Sequence, residues 1–124
     1  MKKMVVVILL LMTIFLSACG KTGIFLEELK QTQVGYTVDG NGNDFKGIGL
    51  TIKEIGEMYR EELGYYEKDF KWKAEIIDNR IYEVTYKGKG HKIEFTVYDN
   101  KKFMYTPIYG VTGDRKELLN KILK

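Results

Sequence analysis

Very little of the usual catalytic and cross-linking chemistry is present. The chain of 124 residues holds one cysteine, Cys19, one histidine, His91, and one proline, Pro107. Its only serine, Ser17, closes an apolar N-terminal run. A single cysteine excludes an internal disulfide, so the folded part must be held by packing alone. A Ser–His–Asp triad has no nucleophile beyond Ser17, and a Cys–His pair has none beyond Cys19. A zinc centre of histidine and cysteine is excluded on the same inventory. His91 opens an alternating segment on its apolar parity, where a satisfied or edge-exposed histidine is expected rather than a catalytic one.

The N-terminus, by contrast, carries a pattern. Lys2 and Lys3 precede Met4 to Leu16, an apolar run interrupted only by Thr13. About thirteen residues is the length of a signal-peptide core and falls short of the roughly twenty that span a bilayer. Leu16-Ser17-Ala18-Cys19 follows, with Gly20 behind it. This segment resembles the lipobox of bacterial lipoproteins. The resemblance implies a diacylglycerol on the Cys19 thiol and cleavage between Ala18 and Cys19. It divides the chain into a signal peptide (1–18), a lipidated N-terminus and tether (19–23) and one domain (24–124). The address it implies is the extracytoplasmic face of a cell membrane, with membrane lipid as the first partner. Acyl chains contribute ~0.8 kcal/mol per buried methylene, so two or three of them anchor a protein stably.

Cleavage would also change the charge. Removing Lys2 and Lys3 takes Lys plus Arg from 20 to 18 against 17 Asp plus Glu, and the net charge from +3 to +1. A nucleic-acid partner then has no electrostatic basis.

Beyond the leader, hydrophobic periodicity divides the chain. Ile24 to Lys30 suits one or two helical turns with Phe25, Leu26 and Leu29 on one side. Val34, Tyr36 and Val38 alternate as a short strand, and 39–44 is a loop by composition. Thr51 to Leu63 is the clearest helix: Thr51 and Glu54 have capping-box spacing, and Gly64 stands where a left-handed cap belongs. From Lys71 the period changes to two, with Trp72/Ala74/Ile76, Tyr82/Val84/Tyr86 and Ile93/Phe95/Val97 as apolar sets. Phe103 to Ile108 is a further strand, with Pro107 suited to its end or outer edge. Asp114 to Lys124 supplies a closing helix, with Asp114 and Glu117 at capping spacing. The expected fold is α+β: two layers, an antiparallel meander of about four strands, and helices packed on one face. A turn at Gly88-Lys89 would set Val84 against Ile93, and a turn at 78–80 would set Ala74 against Val84.

Gly49-Leu50-Thr51-Ile52 before a helix, a displaced Gly56, then Lys71-Trp72 and Tyr82-Glu83-Val84, resemble a small uncharacterised α+β domain of bacterial lipoproteins. The likeness covers roughly 47–123 and implies a fold, with no activity attached.

Three sets of residues are candidates for function. Glu75, Glu83 and Glu94 fall side by side on the polar sheet face, a row that invites a cation or a basic partner, although Lys71, Lys73 and Lys92 lie within reach. Tyr98, and Tyr65-Tyr66 after the helix, are candidate recognition tyrosines. Asp39, Asn41 and Asn43 have the spacing of the first positions of a calcium loop. However, Asp44 and Leu50 replace its glycine and glutamate, leaving at most weak calcium binding. No other cofactor is implied. The sequence therefore favours a non-enzymatic binding or accessory domain at the cell envelope, with a protein or cell-wall partner, and includes the subclass of exclusion lipoproteins that block an envelope channel. The alternative is a carboxylate enzyme hydrolysing glycan through Glu75, Glu83 or Asp99.

Overall fold

The computed structural model describes residues 25–38 and 41–123. The segments expected as leader and tether, with Ala18 and Cys19, and also Ile24 and Asp39, lie outside these residues. The described chain runs α1 (25–30), β1 (Gln33–Tyr36), β2 (Lys46–Thr51), α2 (Ile52–Leu63), β3 (Lys71–Asp78), β4 (Ile81–Gly88), β5 (His91–Asp99), β6 (Met104–Pro107), β7 (Val111–Gly113) and α3 (Lys116–Leu123). Short 3₁₀ turns occupy Glu67–Asp69 and Ile108–Gly110. No helix among the described residues is long and apolar enough to cross a membrane.

The fold is α+β, and its sheet is larger than the periodicity indicates. Seven strands form one mixed sheet in the order β2-β1-β6-β5-β4-β3, with β7 also beside β5. All pairs are antiparallel except β1 with β6, which run parallel. β2 escapes detection because Gly47 and Gly49 remove half of its alternation. β6 and β7 are one line broken in two: Tyr105 pairs with Tyr98, Val111 pairs with Phe95, and the 3₁₀ turn at Ile108–Gly110 takes up the surplus residues. Pro107 ends β6 beside Gly35 of β1, inside the sheet rather than at its outer edge. The alternation through Val34, Tyr36 and Val38 also fails. The β1–β2 register shifts between Val34 and Gly35, so Val34 is buried while Tyr36 and Val38 are exposed.

The central meander has the expected faces and one corrected register. β3 and β4 set Ala74 against Val84 and Trp72 against Tyr86. Between β4 and β5 the turn is Lys89-Gly90, so Val84 meets Phe95 and Tyr86 meets Ile93. Both turn residues have positive φ, 52° and 80°, the type I′ geometry that favours glycine second. Gly88 stays in the strand opposite His91, so close to the Asp69 carbonyl that a Cβ would collide. The slip is two residues, an even number, so every apolar side chain keeps its face.

Helix α2 follows from its caps. The Thr51 hydroxyl accepts from the Glu54 amide at 3.2 Å, and the Glu54 carboxylate accepts from the Thr51 amide at 2.9 Å. Gly64 closes the helix at φ 85°. The buried side of α2, Ile52, Ile55, Gly56 and Tyr59, lies on the apolar face of the sheet. At Gly56 the helix backbone reaches the Trp72 ring, which stacks on Tyr86 with centroids 4.1 Å apart. One turn on, Arg60 donates to the Tyr86 hydroxyl at 2.7 Å in a buried position. Leu29 of α1 and Leu119 and Ile122 of α3 complete the core. Asp114 does not serve as the expected helix cap partner of Glu117; its carboxylate accepts from the Tyr59 hydroxyl and faces His91 Nδ1 at 2.9 Å.

A methyl group at Gly56 would stand 2.5 Å from the Trp72 ring, which cannot retreat from its stack. Gly56→Ala gains about 1 kcal/mol of helix propensity but overpacks the core at a cost of about 1–3 kcal/mol. The expected net result is a melting temperature lower by roughly 5 °C, read by thermal denaturation.

Candidate functional site

The face of the sheet opposite the helices carries the polar members of each alternating strand. On it Lys73 and Glu75 of β3, Glu83 and Thr85 of β4, and Lys92, Glu94 and Thr96 of β5 stand together. Glu75 is directly opposite Glu83, as the β3–β4 register requires. Glu94 is opposite Thr85 and Glu83 is opposite Thr96, so the third carboxylate sits diagonally to the second rather than in a straight row. Lys73 pairs with Glu75 at 3.2 Å and Lys92 with Glu94 at 3.3 Å, each along its own strand. Glu83 has no such lysine beside it on β4. Its carboxyl is pushed up from the ordinary value by partial burial first, then by the charge of Glu94 and a hydrogen bond to it, and by Glu75; Lys92 opposes the shift.

The polar strip runs into a concave end. Ile81 pairs with Tyr98 next to the Glu83–Thr96 pair, and Tyr98 stacks on Tyr105 with centroids 5.8 Å apart. Phe45 and Phe103 pack on Tyr105 from the flanking loops, forming a second, smaller aromatic cluster on this side of the sheet. Gly42 passes so close to the Tyr105 ring that a Cβ there would overlap it. Three connections therefore converge: the β1–β2 loop, the β3–β4 turn and the β5–β6 loop. They border an open groove of about 390 Å³ lined by Asn41, Asn43, Asn79, Asn100, Arg80, Lys101, Asp99, Tyr98, Ile81 and Tyr105. That volume lies within the ordinary range of ligand pockets.

The walls of this cavity are held by local hydrogen bonds. The Asn100 side chain accepts from the Lys102 and Phe103 amides at 3.0 Å and donates to the Asn41 carbonyl at 3.1 Å. Asp99 accepts from the Lys101 amide at 2.9 Å and lies 3.7 Å from the Arg80 guanidinium. Arg80 and Lys101 have φ of 61° and 79°, two of the three non-glycine residues with positive φ among the described residues. Such conformations cost on the order of 1–3 kcal/mol each and gather at binding sites.

The residues singled out in the sequence divide accordingly. Asn41, Asn43, Tyr98 and Asp99 line the cavity, and Glu83 and Glu94 lie on the adjoining face. Glu75 lies on the outer strand, where it also borders a separate groove beneath α1. Asp44 is committed elsewhere, accepting from the Thr37 hydroxyl at 2.6 Å and the Val38 amide at 2.8 Å. Among the described residues no three His, Cys, Asp or Glu side chains are gathered so as to hold a metal ion. Tyr65 packs on Phe70 and His91, while Tyr66 is exposed. Asn79, Arg80, Asn100 and Lys101 were not legible as site residues. Their only sequence signal is a concentration of Asn in three separate turns. Comparison with known protein families, curated proteins and solved structures finds no match, so no relative bears on the role of this site.

The like-charge contacts at Glu83 predict a pH signature. Because its folded value is raised, the folded state holds the proton more tightly than the unfolded chain. Stability from this group is therefore present below the ordinary carboxyl value and is lost as pH rises through the raised one. Glu83→Gln should raise the melting temperature at pH 7, by the equivalent of roughly 0.5 kcal/mol. At pH 3.5 it should have little effect, and an equal gain at both values would refute the assignment.

Proposed function

We propose that this protein is a membrane-anchored lipoprotein whose domain binds a partner at the cell envelope without chemical turnover. The observation that carries the reading is the continuity of the outer surface. A charged strip, in which Lys73 and Lys92 pair with Glu75 and Glu94 beside Glu83, leads past Tyr98 into a groove walled by four carboxamides, Arg80 and Lys101. Carboxamides donate and accept hydrogen bonds without charge, and tyrosine presents a flat apolar face with a polar rim. Such a surface suits a polar partner, either a protein segment or a cell-wall glycan. The lipobox-like segment supplies the address: five residues lie between Cys19 and Phe25, a reach of roughly 20 Å if extended.

The enzymatic alternative rests on Asp99 and on the raised carboxyl of Glu83. Glycoside hydrolysis needs two carboxylates flanking one bond. Asp99 is the single carboxylate among the described residues lining the cavity, and it is engaged by Arg80 and the Lys101 amide. Glu83 and Glu94 stand on the sheet face outside the cavity lining. Binding is the better reading of this distribution.

The test is crosslinking on intact cells, followed by mass spectrometry of captured protein and glycan. A chain with Cys19 should incorporate a palmitate probe and yield one dominant partner. Cys19→Ala should lose the label, and Arg80→Gly or Glu83→Gln/Glu94→Gln should reduce capture at least about fivefold while remaining folded. Capture unchanged by these replacements would remove the outer surface from consideration. Glycan cleavage abolished by Asp99→Asn would favour the enzyme.

A further inference from the structure

The two edges of the sheet are built differently. On β2 the edge is interrupted by Gly47 and by Gly49 at φ 87°, and its pairing with β1 shifts register midway. On β3 the edge is regular from Lys71 to Ile76, contains no proline, and bulges only beyond Ile76. Among the described residues β3 pairs with β4 alone. Its side chains are correspondingly open, with Ile76 73% exposed. A long regular edge with exposed apolar residues is a template for another strand unless something blunts it.

The sequence of this edge is complementary to itself. A two-fold axis normal to the sheet pairs residues of the same face, so few antiparallel registers are possible. Centred on Ala74, the register sets Lys73 opposite Glu75 of a second copy and Glu75 opposite its Lys73. On the helical face the same register sets Trp72 against Ile76 and Ala74 against Ala74. Moving the centre to Lys73 opposes two lysines, and moving it to Glu75 opposes two glutamates. Like charges directly opposite are unfavourable, so of the centres from Lys71 to Glu75 only Ala74 avoids a penalty, and centres from Ile76 onward run into the bulge.

Two features of the protomer favour that arrangement. Glu75 faces Glu83 across β4 with only its own Lys73, at 3.2 Å, beside it on β3, and a second lysine from the free side would further offset the like-charge contact. On the helical face, a groove of about 370 Å³ lies between α1 and the edge, lined by Phe25, Leu29, Ala74, Ile76 and Tyr82 along with Glu75. It leaves apolar room beside Ile76 on the side from which the second strand would approach, while each Trp72 stays stacked on its own Tyr86.

We propose that two copies of this chain pair through β3, antiparallel about Ala74, to make one continuous sheet with the Lys73–Glu75 contacts at its centre. This goes beyond the proposed binding role and does not depend on the lipid. The outer faces of the two copies would join into one surface, doubling the sites presented to a partner.

Sedimentation velocity of the full chain in density-matched detergent tests the pairing. The wild type should be a dimer at tens of micromolar. Lys73→Glu and Glu75→Lys should each weaken dimerisation at least about tenfold, and Lys73→Glu/Glu75→Lys should restore it. Both positions are more than half exposed, 62% for Lys73 and 55% for Glu75, so the monomer fold should persist, as circular dichroism would verify. As a second measurement, Ala74→Cys should give a disulfide-linked dimer above the level of the parent chain, and Lys87→Cys should not. A wild type that stays monomeric overturns the proposal and leaves the edge to the N-terminal segment or a foreign peptide. A dimer indifferent to either reversal, or not rescued by the double exchange, overturns it equally.

Discussion

The stack of Trp72 on Tyr86 is the contact on which the rest of the domain is assembled. It joins the two strands that carry it, since these residues are direct cross-strand partners. It also fixes the helical layer: Gly56 lets α2 approach the indole, and Arg60 reaches down to the Tyr86 hydroxyl. From α1, the Lys30 ammonium sits 5.4 Å from the Trp72 ring centroid while paired with Glu27 at 3.2 Å. Two aromatic rings thus receive one helix through a missing side chain and another through a cation. With no disulfide to constrain the unfolded chain, contacts of this kind are the principal source of cohesion.

Where local chemistry is strong, the sequence announces the structure. Thr51, Glu54 and Gly64 define α2 through hydrogen bonds made within a few residues. The even spacing of Trp72, Ala74, Val84, Tyr86, Phe95 and Val97 defines the inner face, because alternation reports burial directly. The signal fails where structure is imposed from a distance. β2 has glycines at the positions that alternate with Ile48 and Leu50, so no polar set marks its outer face, and β7 is three residues long. The parallel pairing of β1 with β6 has no local signature at all. Asp114 misleads for a related reason: its spacing to Glu117 suggests a cap, but the carboxylate is taken by Tyr59, a residue 55 positions away.

The same distinction applies to the site. The placing of Glu75, Glu83 and Glu94 on one face is legible because it follows from strand parity. The cavity is not, since it forms where three connections from distant parts of the chain meet around Tyr98 and Tyr105. What holds it open is backbone geometry at Arg80 and Lys101 and the triply bonded side chain of Asn100. Rigid strands supply the floor, and short loops supply the polar groups, the usual division of labour between scaffold and recognition surface.

The parallel contact between β1 and β6 bears on the order in which the chain can close. Gln33 lies beside Tyr105, so strands separated by about seventy residues must meet before the sheet is whole. During synthesis the first hairpin therefore emerges with one flank empty, and Val34 has no neighbour there until Thr106 exists. The meander from β3 to β5 can form in the meantime from near neighbours, but the sheet cannot take in its N-terminal end. Under the proposed export behind a leader the same order applies: the part that enters first has no β6 to close on, and the final clasp waits until Thr106 has followed.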